Sequence, residues 1–223
     1  MTKKRTDTKK LVILALLSAI AFAVMYVSKL IFAPFAVAGI LTFDLKDVIV
    51  AIAGFMYGPL AAAAVSVVVS AVEMVTVSAT GIIGFIMNVV STCAFAVAAS
   101  AVYSRRRKIS GAVLGLILGV VLMTAVMLLW NYLITPLYLK VTREQVAAML
   151  LPVFMPFNLV KAAMNASLTL ILYKPLVTAL RKANLLPEQK SGGTGRMKPW
   201  VLLPAVFVLA TSVLLVLVLS GKL

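Results

Sequence analysis

The stretch LPVFMPFNLVKAAMNASLTLILY, Leu151–Tyr173, decides how the rest of the chain is read. It is apolar enough to cross a bilayer, yet it carries Asn158, Lys161 and Asn165 at i, i+3 and i+7. That spacing sets all three on one helical face. A lysine inside a membrane span is costly and is kept for a partner, which can be a ligand.

Composition sets the class. The 223 residues are 63% hydrophobic with a formal charge of +15, and the mean hydropathy is +1.13. Such a chain is an all-α, polytopic membrane bundle whose length is taken up by spans of about 20 residues. The positive charge does not indicate nucleic acid, because Lys and Arg gather at the ends of apolar runs, where they set topology. Cys93 is the one cysteine and histidine is absent. An intramolecular disulfide and a Cys/His metal site are thereby excluded. The basic start followed by an apolar run imitates a signal peptide. The run Leu11–Phe32 is too long for an h-region of about 7–15 residues and reads as the first span.

Outward from the deciding stretch, the same pattern recurs. Met1–Lys10 is a basic tail that the positive-inside rule keeps in the cytoplasm. The first span, Leu11 to about Leu30, carries Ala15, Ala19 and Ala23 at steps of four. These small residues form a smooth ridge that lets another helix approach; spacing alone favours packing within this chain. Ile31–Phe43 is an outer loop. Asp44 reads as an N-cap, with Asp47 in the first helical turn, and Lys46 as part of an exposed loop. A short second span ends at Tyr57-Gly58-Pro59. The third, Leu60–Val77, bears Ser66, Ser70 and Glu73 along one face, and the fourth, Ile82 to about Val102, bears Asn88, Ser91 and Thr92. Arg105-Arg106-Arg107-Lys108 stops it on the cytoplasmic side.

The fifth span starts near Ser110, and Gly111, Gly115 and Gly119 give it a double GxxxG face for close packing. It ends outside at Trp130-Asn131-Tyr132. Thr135–Leu150 reads as an outer loop holding a short surface helix, and the sixth span ends at Arg181-Lys182. Residues 184–198 form a flexible linker, whose Ser191-Gly192-Gly193-Thr194-Gly195 lacks the frame of a phosphate loop. Pro199–Leu219 is a further run long enough to span. This topology puts 15 of the 21 Lys and Arg residues on the cytoplasmic side, which supports an inside N-terminus.

Glu73, Asn88, Asn131, Asn158 and Lys161 then all fall in the outer half of their helices. Lys161 lies roughly 12 Å along the helix from Val153. A Glu73–Lys161 ion pair would satisfy the lysine but leaves three asparagines unexplained. Amides that donate and accept, beside an ammonium, suit a flat neutral ligand with imide and carbonyl edges. Phe85, Trp130, Tyr132, Phe154 and Phe157 sit at similar heights and could stack on it. The sequence holds no nucleophile set, metal set or ATP motif, so it reads as a capture protein and not an enzyme. Uptake against a gradient then needs a partner or a coupled ion.

At these residues the chain resembles the substrate-binding S components of energy-coupling-factor (ECF) vitamin transporters, most closely the riboflavin-specific type. The resemblance rests on Ala15-x-x-x-Ala19, Phe43-Asp44-Leu45-Lys46-Asp47, Ala53-Gly54-Phe55-Met56-Tyr57-Gly58-Pro59, Asn131-Tyr132 with Thr135-Pro136-x-Tyr138, and Pro156-Phe157-Asn158-Leu159-Val160-Lys161. It covers Lys9 to about Lys182. It implies a six-helix fold in a prokaryotic cell membrane and an outward pocket for riboflavin, a transported ligand and not a cofactor. Asn131, Asn158, Lys161, Glu73, Asn88 and Asp44 are the candidate ligand residues. It also implies a module made of a transmembrane coupling subunit, met by Ala15, Ala19 and Ala23, and two ATP-binding-cassette ATPases. The expected organisation is a binding domain at 1–183, the linker at 184–198 and an extra transmembrane segment at 199–223. The alternatives are an S component for another heterocycle and a secondary transporter coupled to ions through Glu73.

Overall fold

The computed structural model describes residues 2–78, 80–183 and 199–222. The linker 184–198 lies outside the described residues. The chain forms helices α1 (Thr2–Phe32), α2 (Lys46–Tyr57), α3 (Pro59–Thr76), α4 (Gly81–Arg105), α5 (Ile109–Leu139), α6 (Arg143–Met149), α7 (Met155–Lys182) and α8 (Pro199–Leu219). A single antiparallel bridge, Val37 to Leu41, is the β-pairing among the described residues. Six helical stretches are long and apolar enough to cross a membrane: 8–35, 59–76, 81–105, 109–139, 143–180 and 199–219.

The short α2 is the centre of the bundle. Its 12 residues reach about 18 Å, less than the roughly 30 Å of a hydrocarbon core. It packs against α1, α3, α4 and α7, and every residue from Lys46 to Phe55 is buried. Gly54 makes this close fit possible. A Cβ there would stand 2.7 Å from Ser100 Cβ and 2.9 Å from Ala62 Cβ.

The α4–α5 pair is joined by the glycine face that the spacing predicts. A Cβ at Gly115 would lie 2.5 Å from Ala99 O, and one at Gly119 would lie 2.7 Å from Phe95 O. Backbone thus meets backbone across this seam, as small residues allow.

Two expectations are corrected. The ridge Ala15, Ala19 and Ala23 is exposed, while Ile13, Leu17, Ala21 and Met25 on the opposite face are buried. The ridge therefore does not pack within this chain. The fifth span also continues past Trp130 to Leu139, with Pro136 inside it. The proline loses one backbone bond but the apolar run carries the helix through. What remains of the outer loop is a turn at Lys140 and the short α6. That helix is started by a capping box between Thr142 and Gln145.

A π-type turn, Leu150–Phe154, runs α6 into α7. The deciding stretch thus begins in irregular helix and becomes regular at Met155. α8 lies along α7, and its buried residues are Val201, Ala205, Ser212 and Val216.

Candidate functional site

Polar side chains converge where the ends of α1 and α3 meet the starts of α2 and α7. Lys29 on α1 binds Glu73 Oε1 on α3 at 2.5 Å, and Lys46 at the start of α2 binds Glu73 Oε2 at 2.6 Å. Thr92 Oγ1 on α4 donates to Asp47 Oδ1 at 2.6 Å. Lys161 Nζ on α7 donates to Asp44 Oδ2 at 2.6 Å. Asn165 Nδ2 donates to Asp44 O at 3.1 Å and to Lys161 O at 2.9 Å. Three lysines thus pair with two carboxylates, Glu73 and Asp44, and a third carboxylate, Asp47, is held by Thr92. Balance of this kind is what makes buried charge tolerable in lipid.

Asp44 does not cap α2. The helix starts at Lys46, with Leu45 at its N-cap and no side-chain cap bond. Asp44 is instead spent on Lys161. Burial raises its carboxyl pKa, the ammonium groups of Lys161 and Lys46 lower it by more, and the acid is held well below the usual carboxylate range. Nor does Lys46 sit in an exposed loop: it is 1% exposed. The Glu73–Lys161 pair is replaced by two separate pairings, Glu73 with Lys29 and Lys46, and Lys161 with Asp44. Asp47 lies in the first turn, as its position predicts. Sequence reasoning missed Lys29 and Lys46. The local signal for Lys46 was its place, with Asp47, at the head of the apolar run that begins at Val48.

The candidate amides are buried and pre-set by their own helices. Asn131 Nδ2 donates to Met127 O at 2.7 Å, and its Oδ1 accepts from Thr135 Oγ1 at 2.8 Å. Asn158 Nδ2 donates to Phe154 O at 2.8 Å, at the end of the π-type turn. Each amide nitrogen keeps one further hydrogen to give. Asp44 Oδ1, Asp47 Oδ2, Asn165 Oδ1 and Trp130 Nε1 are buried without a partner among the described residues. Buried polar atoms are nearly always bonded, so unpaired ones call for water or a ligand. Asn88, on α4, is half-buried.

The aromatic expectation divides. Phe157 packs on Phe43 with ring centroids 4.6 Å apart, and Phe43 also meets Phe32 at 5.9 Å. Phe154 is buried, and Trp130 and Phe85 are half-buried. Tyr132 is exposed on the flank of α5 and stays a residue of the interfacial belt.

Fold and site together define a multi-pass helical membrane protein that gathers buried polar groups between its helices. The chain belongs to the ECF transporter substrate-specific components, whose family profile matches residues 9–173. It is 28% identical over 182 residues to the riboflavin transporter RibU of Staphylococcus aureus, covering 79% of this chain and 94% of that one. It is 29% identical over 190 residues to the riboflavin transporter FmnP of Bacillus subtilis, covering 79% and 98%. The fold is similar to the solved S component of a bacterial ECF transporter, with a TM-score of 0.66 and 25% identity over 78% of this chain and 99% of that one. The family match ends before α8.

Proposed function

We propose that the chain captures riboflavin from the outer side of a prokaryotic cell membrane and hands it to an ECF module. That module consists of a transmembrane coupling subunit and two ATP-binding-cassette ATPases. The observation that carries the reading is the set of buried, incompletely bonded polar atoms on α5 and α7, in a chain whose relatives are riboflavin transporters. Asn131 and Asn158 each have an N–H left for a carbonyl of the flavin ring. Lys161 has three donor hydrogens and Asp44 takes one, so a ligand carbonyl can take another. Glu73, Asn88 and Asp44 complete the polar surround.

The N-terminus is cytoplasmic in this reading, as the charge bias requires. Residues 1–183 form the binding domain, 184–198 the linker and 199–223 the added transmembrane segment. The exposed ridge Ala15, Ala19 and Ala23 is the contact for the coupling subunit, and the remaining apolar surface meets lipid. Coupling to ions through Glu73 is disfavoured, because that carboxylate is already held by two ammonium groups.

Two observations test this. Protein purified from riboflavin-containing medium carries a yellow flavin absorbance. Uptake into vesicles holding the full module requires ATP. Uptake driven by an ion gradient without ATP contradicts the proposal.

A further inference from the structure

Helix α8 lies outside the family match, yet it joins an apolar cluster whose members adjoin candidate ligand residues in the chain. Val201, Ala205, Ser212 and Val216 are buried at intervals of four, seven and four, which places them on one face. Contact along that face is uneven. A cleft of about 200 Å³ separates the helices between Leu159 and Ala163 of α7 and Phe207 and Thr211 of α8. Beyond the cleft α8 closes on the bundle again at Val216, which is 2% exposed. Val216 shares one apolar cluster with Val37, Phe43, Phe157, Val160 and Met164, and Leu209 and Leu219 pack at its edge. Phe43 adjoins Asp44. Phe157 and Val160 adjoin Asn158 and Lys161. The cluster is therefore the apolar side of the same junction whose polar side is the Lys161–Asp44 pair.

We propose that α8 is a positioning element of the ligand site, in which Val216 presses the 36–45 segment and the start of α7 together and so prolongs ligand residence. The proposal rests on the riboflavin reading for its ligand, but not for its mechanics. Segment 36–45 has few anchors of its own. Among the described residues they include the Val37–Leu41 backbone bonds, the Leu45 N–H to Ser28 Oγ at 3.1 Å, and the bonds to Asp44. Apolar packing at Phe43 and Val37 supplies the rest, and α8 backs that packing from the lipid side. Removing methyl groups from such a contact loosens the opening of the segment more than it changes encounter.

The test uses the full-length chain with Val216→Ala and Leu209→Ala in parallel. Val213→Ala and Val218→Ala, at exposed positions of α8, are the controls. Riboflavin dissociation is followed by recovery of flavin fluorescence, and backbone hydrogen exchange is followed without ligand. The expected result is dissociation faster on the order of tenfold for Val216→Ala, with the association rate unchanged and both controls unchanged. Exchange should rise in 36–45 and at the start of α7, and not in α3 or α4. Should wild-type protein fail to bind riboflavin, the ligand reading falls, while the exchange comparison still decides the role of α8. Unchanged exchange in 36–45, or a rise spread evenly over the bundle, overturns the proposal.

Discussion

Lys161 Nζ and Asp44 Oδ2, 117 positions apart in the chain, lie 2.6 Å from each other at the start of α7. Both side chains are buried. Lys161→Met should therefore strand a buried carboxylate and cost about 3–5 kcal/mol of stability. Asp44→Asn together with Lys161→Met removes both charges and should recover most of that loss in thermal unfolding. If Lys161 also contacts the flavin, the double variant folds but binds riboflavin weakly. Wild-type affinity in the double variant would reduce Lys161 to a counter-ion.

Glu73 should be the least replaceable carboxylate. Its two oxygens serve Lys29 and Lys46, and Lys46 is 1% exposed. Glu73→Gln leaves two cations facing a neutral amide, with an expected loss of about 3–5 kcal/mol. Lys46→Met leaves Glu73 still paired with Lys29, so its loss should be smaller. Thermal melts of the two variants in detergent, compared with wild type, give the order; the reverse order would refute this ranking.

Gly115 tests the α4–α5 seam. Alanine normally strengthens a helix relative to glycine. Here its Cβ would meet Ala99 O at 2.5 Å, and a backbone oxygen cannot rotate aside. Gly115→Ala should lower stability by about 1–3 kcal/mol. A raised melting temperature would mean the helices are not in close contact.

The alanine ridge should separate binding from transport. Ala19→Trp adds bulk on an exposed face of α1, so riboflavin binding by the isolated chain should be unchanged. ATP-driven uptake by the assembled transporter should fall. Normal uptake would leave the ridge facing lipid alone.

Much of this architecture was legible in the sequence because apolar runs bounded by charge specify helices with little help from elsewhere. The seam at Gly115 and Gly119 and the face shared by Asn158, Lys161 and Asn165 could be read the same way. What escaped depends on partners remote in the chain. Asp44 and Lys46 sit between apolar runs, where a dense group of charges looks like a solvated helix start. Their burial follows from Lys161 and Glu73, 117 and 27 positions away. The continuation of α5 escaped for a different reason: Pro136 reads as a breaker, although neighbouring helices hold the span together around it. Spacing alone could not show that Ala15, Ala19 and Ala23 face outward, because two faces of an apolar helix look alike until packing separates them; only the family resemblance pointed to an outer contact.

The most direct test is a flavin fluorescence titration of the purified chain, without ATP or partner subunits, alongside Asn131→Ala and Asn158→Ala. An unpaired ligand hydrogen bond costs about 1–3 kcal/mol, which corresponds to a roughly 5- to 150-fold change in Kd. The account predicts saturable quenching by riboflavin in wild-type protein and a Kd raised by that factor in each variant, with melting temperatures little changed. Absence of quenching in the wild type, or wild-type affinity in both variants, would contradict it.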